Sequence, residues 1–208
     1  MRKPAPADHP LLNAVRERWS PIAFDANQPV ESDKLLTVLE AARWASSSQN
    51  EQPWAFIVGD TTRAPETWHK IFDLLADGNK AWAHTAPVLI LTLEKLSFDR
   101  NGQANPTALH DVGMAVANLL LQATELSLYT HQMGGYDRAK ARTVFAVPDA
   151  YAPVAVIALG YIAPAEVLEE KLRARHANPE RARKPLPTLV FSGAGAFGEP
   201  SPLVETPK

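Results

Sequence analysis

From about Thr107 to Leu128 the sequence spells a helix with small or apolar residues on nearly every side: Gly113, Ala115, Val116, Ala117, Leu119, Leu120, Leu121 and Ala123. A surface helix leaves one polar face to water, whereas a helix apolar all round is buried on more than one face. The rest of the chain must therefore supply cover for this segment, which makes it the expected central helix. The cover it demands exceeds what one domain of 208 residues readily provides, so part of it is expected from a second copy of the chain.

The flanking segments read as a mixture of strands and helices. Ser32-Asp33 followed by Leu35, Leu36, Val38, Leu39, Ala42 and Ala45 gives a cap, an acidic first turn and helical spacing, so a helix is expected over 32–45. Trp54 to Gly59 and Pro87 to Leu93 are short apolar runs bounded by turn formers, as buried strands are. Residues 62–82 read as helical, 129–132 as a short strand, 137–145 as a helix and 154–159 as a strand. Leu11 to Arg18 forms an early amphipathic stretch behind an arm of about ten residues interrupted by Pro4, Pro6 and Pro10. After Tyr161 a charged, partly helical stretch leads into a tail, 184–208, too rich in Pro and Gly to build its own core. With no clean βαβ repeat, the class is α+β, expected as a single domain over 1–208.

Composition narrows the chemistry. There is no cysteine, which removes disulfides, thiolate metal sites and thiol nucleophiles, so redox work would need a bound cofactor. A net charge of -2 gives no overall positive field for a polyanion, and any anion site must be local. The longest apolar run falls far short of the roughly 20 residues a membrane span needs, so a soluble, cytoplasmic protein without nucleic-acid or membrane partners is expected.

Four separated segments carry candidate chemistry. Arg16-Glu-Arg-Trp-Ser20 places guanidinium and hydroxyl groups where they could share a phosphate, and reads equally as a solvated helix end. Ser46 to Gln52, between Trp44 and Trp54, packs hydroxyls, carboxamides and backbone amides into one loop, more polar groups than a turn requires. Met133-Gly-Gly-Tyr-Asp137 lets backbone N–H groups approach a flat ligand, or is a turn needing positive φ at a glycine with Asp137 as helix cap. Arg181-Ala-Arg-Lys184 concentrates three cations, a phosphate clamp or a solvated face. His131, alone beside an apolar helix, reads as a structural residue rather than a catalyst.

Taken in order, these segments resemble the FMN-dependent nitroreductase family over most of residues 12–190. The family's Arg-Arg-Ser-x-Arg-x-Phe is met by Arg18-Trp-Ser-Pro-Ile-Ala-Phe24, with Trp19 and Ile22 departing. Its Pro-Ser-Ser-x-Asn-x-Gln-Pro-Trp is met by Ser46 to Trp54, the most specific match, where only Ser46 departs. Asp111-Val-Gly-Met-Ala-Val-Ala-Asn-Leu119, the glycine turn at 133–137 and Arg181-x-Arg-Lys-Pro-Leu186 complete the pattern.

The resemblance implies a central mixed β-sheet surrounded by helices in a three-layer α/β/α sandwich, dimerised with both FMN sites in the interface. It implies that Arg18, Ser20, Arg181 and Arg183 surround the FMN phosphate, with Arg16 and Trp19 beside them. Ser47, Ser48, Asn50 and Gln52 would reach the cofactor held mainly by the other subunit, and Met133, Gly134 and Gly135 would present amides to the flavin ring. Hydride would pass from NAD(P)H to FMN and then to a nitroaromatic, quinone or related acceptor in a ping-pong cycle, with no catalytic side chain and no metal. The irregular stretch 95–106 and the 62–82 region are expected to form a lid that selects the acceptor. Ile22 removes a cation often found there, which implies either weaker cofactor affinity or compensation by Arg16. Flavin conversion, dehalogenation or ligand sensing on the same fold are the rival readings.

Overall fold

The computed structural model describes residues 2–192, 197–198 and 201–204, and the chain divides into two compact units, Met1–Asn178 and Pro179–Lys208. In the first unit four strands, β1 (Trp54–Asp60), β2 (Val88–Lys95), β3 (Tyr129–Met133) and β4 (Tyr151–Gly160), form one sheet in the order β1-β2-β4-β3. All three ladders are antiparallel. The mixed sheet expected from the sequence is thus corrected for these four strands, because every connection between paired strands reverses the chain direction.

Strand alternation builds two cores. Leu89, Leu91 and Leu93 of β2 join Val156 and Ala158 of β4 on one face, while Val88 and Ile90 join Ile157 and Leu159 on the other. Because both faces are covered, β2 is a continuous apolar run rather than an alternating one. The first face carries α3 (Pro65–Leu74), α4 (Asp77–Ala83) and α6 (Arg138–Val144), which contribute Trp68, Ile71, Trp82 and Ala141. The second carries α2 (Ser32–Arg43) and the long α5 (Ala108–Glu125), packed together through Val38, Ala42, Val112, Ala115 and Leu119. The layers are therefore helix, sheet, helix. A short α1 (Asn13–Glu17) precedes α2, and α7 (Glu170–Ala177) closes the unit.

Three boundaries differ from the sequence expectation. The helix expected over 62–82 is two helices, because Leu75 and Ala76 turn extended to bond the glycine turn: Ala76 N–H donates to Gly135 O at 3.0 Å and Asp137 N–H to Leu74 O at 2.9 Å. Strand β4 begins before Pro153 rather than after it. The register slips between Thr92 and Leu93, and this bulge accommodates a proline that has no N–H for the ladder. Thr92 Oγ1 fills the gap, donating to Ala155 O and accepting from Ala155 N–H, both at 3.1 Å. The stretch expected to be an irregular lid is a small hairpin: Ser97 pairs with Ala104, Phe98 N–H donates to Gln103 O at 2.8 Å, and Gly102 turns at φ +68°.

α5 is not covered on every side by the described residues. Leu109, Gly113 and Ala117 are exposed and, with Val116, Leu120, Val154 and Ala155, line an open groove of about 180 Å³. In the second unit Leu186–Thr188 and Pro202–Val204 make 3-10 turns, and Ser201 N–H donates to Val190 O at 2.9 Å.

Candidate functional site

The Arg16–Ser20 segment leaves α1 in extended conformation and runs beside β3. Arg18 donates to Ser20 Oγ at 3.3 Å, and both flank Trp19. Trp19, expected at the cofactor, is 8% exposed: its ring faces inward, 6.1 Å from Tyr129 and 5.5 Å from His176. Its side chain is a packing element and only its backbone stays at the edge. Ile22 is likewise in the core, so a cation at that position would be buried, and the missing charge follows from which way the residue faces. Arg16 is exposed on the last turn of α1.

β3 carries the neighbourhood from one motif to the next. His131 Nδ1 lies 2.8 Å from Pro21 O, and its ring packs at 4.5 Å against Trp82. Burial, the leading cause, holds its pKa below the ordinary histidine value, with Arg175 and Arg18 adding to the effect. This is a satisfied structural histidine. Three residues later, about 10 Å along an extended strand, the chain reaches Gly134. Met133, expected at the cofactor, buries its side chain in the first core at 2% exposure, so only its backbone is available.

The glycine turn has an unusual profile. Neither Gly134 nor Gly135 has positive φ, so no left-handed turn demands them. A Cβ on Gly135 would meet Asn79 Nδ2 at 3.1 Å; a Cβ on Gly134 would meet nothing within 4 Å. Gly135 O accepts from Ala76 N–H and Asn79 Nδ2, both at 3.0 Å, which fixes the peptide, and among the described residues neither glycine N–H donates to a backbone acceptor. Asp137 caps α6, accepting from Lys140 N–H at 2.8 Å.

The Ser46–Gln52 loop is built the opposite way. Gln49, Asn50 and Gln52 take φ of 56°, 55° and 53°, a left-handed conformation unfavourable to residues with side chains. Ser47 Oγ accepts from Gln52 N–H at 3.0 Å, closing the loop on itself. Asp111, 3% exposed in the first turn of α5, accepts from Ser48 N–H at 3.0 Å and lies 3.3 Å from Thr107 Oγ1. The 95–106 hairpin grips the same loop: Asp99 N–H donates to Glu51 Oε1 at 2.6 Å, and Arg100 lies 3.4 Å from Gln49 Oε1. Asp111, marked in the sequence reading only as the start of a family motif, and Glu51, not singled out there, are thus supports of the loop. A carboxyl inside an otherwise apolar helix was the available signal for Asp111.

The structure therefore aligns Arg18, Ser20, Gly134 and Gly135 along the β3 edge, and Ser47, Ser48, Asn50 and Gln52 around α5 and the hairpin. Arg181 and Arg183 lie in the second unit, where Arg183 donates to Ala182 O at 2.7 Å. No cluster of metal-ligating side chains occurs among the described residues.

Around this two-core α+β sandwich, with a polar, left-handed loop ahead of β1 and a glycine turn behind β3, residues 15–161 match the nitroreductase family. The chain belongs to that family. It is 32% identical over 160 residues to a Methanothermobacter thermautotrophicus protein named provisionally as an NADH dehydrogenase/NAD(P)H nitroreductase, covering 75% of this chain and 78% of the relative. It is 31% identical over 93 residues to the major NAD(P)H-flavin oxidoreductase of Aliivibrio fischeri, covering 45% of this chain and 43% of that one. Among solved structures, an oxidoreductase containing FMN superposes with a TM-score of 0.83 at 31% identity, over 90% of this chain and 94% of that one. No helix of the described residues is long and apolar enough to cross a membrane.

Proposed function

We propose that the protein is an FMN-dependent oxidoreductase that takes hydride from NAD(P)H and passes it to a nitroaromatic, quinone or related small acceptor, the two substrates using one site in turn. The observation that carries this reading is the Gly134–Gly135 turn. Its peptide is fixed by Ala76 and Asn79, its amides donate to no backbone acceptor among the described residues, and among those residues Gly134 has neither a conformational nor a steric reason to be glycine. A flat ligand edge approaching those amides supplies the reason. Bound FMN would supply the reversible two-electron chemistry. Gly134 and Gly135 N–H would hold the ring edge and favour its negatively charged form. Arg18 and Ser20, beside the strand that leads to the turn, would take the phosphate, with Arg16 alongside; for Arg181 and Arg183 the same role is supported by the sequence resemblance. No side chain is assigned a catalytic proton.

The Ser47–Gln52 loop fits a role toward the cofactor of a second copy, since it stands apart from the β3 edge. The uncovered Leu109, Gly113 and Ala117 face of α5 fits a homodimer in which that copy completes the core. The test is an absorbance spectrum of the purified protein before and after anaerobic NADPH. Flavin bands that bleach are expected; a protein that is colourless and takes up no added FMN overturns the reading, and bands that survive NADPH leave a flavin-binding protein without reductase activity.

A further inference from the structure

Lysine is seldom buried, yet Lys3 is 6% exposed. Its Nζ donates to His176 O and, at 2.6 Å, to Asn178 O, the carbonyls where α7 ends, and it sits 4.1 Å above the Trp19 ring. Two carbonyls and an aromatic face, at the negative end of a helix, are the partners a desolvated ammonium needs. Burial pushes the Lys3 pKa down from the ordinary lysine value, so these partners offset a real cost.

The residues around Lys3 grip the same segment. Arg2 reaches Glu17 with two guanidinium contacts, at 3.1 and 2.8 Å, and Ala5 N–H donates to Arg16 O at 2.7 Å. Residues 2, 3 and 5 thus hold residues 17, 19 and 16, and the proline-interrupted arm expected ahead of α1 is a strap over Arg16–Ser20. Lys3 also fastens α7. We propose that Lys3 is a positioning residue for an anion held by Arg18 and Ser20: through the Trp19 ring it fastens the residue between those two to the carbonyls at the end of α7. This rests on the flavin reading above and goes beyond it in making the N-terminal arm part of the phosphate site. A methionine in its place could fill the space and lie on Trp19, but could not hold the two carbonyls.

The experiment titrates the full-length apoprotein with FMN and, separately, with riboflavin, which lacks the phosphate, and records melting temperatures alongside. Lys3→Met is expected to weaken FMN about tenfold while moving riboflavin by less than about twofold, and Lys3→Arg is expected to restore most of the loss. Arg2→Ala, which loosens the exposed end of the strap without touching the core, is expected to give a smaller loss of about threefold, again confined to FMN. It keeps the test decisive if Lys3→Met fails to fold. Equal weakening of both ligands, or a lower melting temperature with FMN affinity unchanged, would make Lys3 a packing residue only and overturn the proposal. A wild type that binds neither flavin overturns the functional reading itself, and is distinguishable from a wild type that binds both while the variants fail to separate them.

Discussion

The Ser46–Gln52 loop and the Gly134–Gly135 turn divide the usual roles of residue types in reverse. The loop has no glycine, yet three of its residues adopt the left-handed conformation that glycine takes without strain; the turn has two glycines and neither adopts it. Strain in the loop persists because the surroundings over-determine it: Asp111, Glu51 and Ser47 each hold one of its amides or those of its neighbour hairpin. The turn is held at Gly135 O and Asp137 N–H, and the missing side chains of its glycines leave a surface open. One region is shaped by contacts the chain makes, the other by contacts it leaves room for.

Removing the buried anchor of the loop should give the largest effect. Asp111→Ala leaves Ser48 N–H without its acceptor and is expected to cost roughly 1.5–3 kcal/mol of stability, measured by urea unfolding. Indifference would mean that the loop holds its left-handed residues without help. The turn should respond the other way. The Cβ that Gly134→Val adds meets nothing within 4 Å and no positive φ is strained by it, so stability is expected to change by less than about 0.5 kcal/mol, while FMN affinity falls about tenfold. A variant that keeps full FMN affinity would remove the main support for the flavin reading.

A smaller effect tests the strain itself. Gln49 is exposed and sits at φ 56°, ψ 19°, so Gln49→Gly exchanges a left-handed penalty for extra freedom in the unfolded chain. A net gain of about 0.5 kcal/mol is expected in thermal unfolding. A loss would mean that the 3.4 Å approach of Arg100 to the Gln49 side chain outweighs the strain.

Both regions were visible in the sequence as polar or glycine-rich interruptions between apolar runs, and their inverted design was not. Periodicity exposes α5 and β2 because burial on both faces forces unbroken apolar runs, as in Val88 to Leu93. It could not show β4 crossing Pro153, since the bulge that tolerates the proline depends on Thr92 of another strand. Nor could it show which way Trp19 and Met133 face, because one extended residue more or less turns a side chain from solvent to core. Lys3 gave no local signal at all: its burial depends on carbonyls more than 170 residues away.

The smallest effect near neutral pH separates the two regions by titration. The turn is carried by β3, whose His131 is buried against Trp82, and α7 carries His176 at 1% exposure; burial is the leading cause that lowers both pKa values. A histidine with a depressed folded pKa binds protons more readily unfolded, so its contribution is complete above the unfolded value of about 6.5 and is lost as pH falls through the folded value. Asp60, Glu31 and Glu40, whose pKa values are lowered, keep their contributions until well below that window. Urea unfolding at pH 7.5, 6 and 5 is therefore expected to show progressive destabilisation. His131→Gln, which still offers Pro21 O a donor, is expected to flatten the slope. Hydrogen exchange at pH 5 should then quicken at β3 and the glycine turn ahead of Ser48, whose amide is held by a carboxyl rather than by a strand resting on histidine. Equal loosening of both would show that acid acts on the fold as a whole, not through β3.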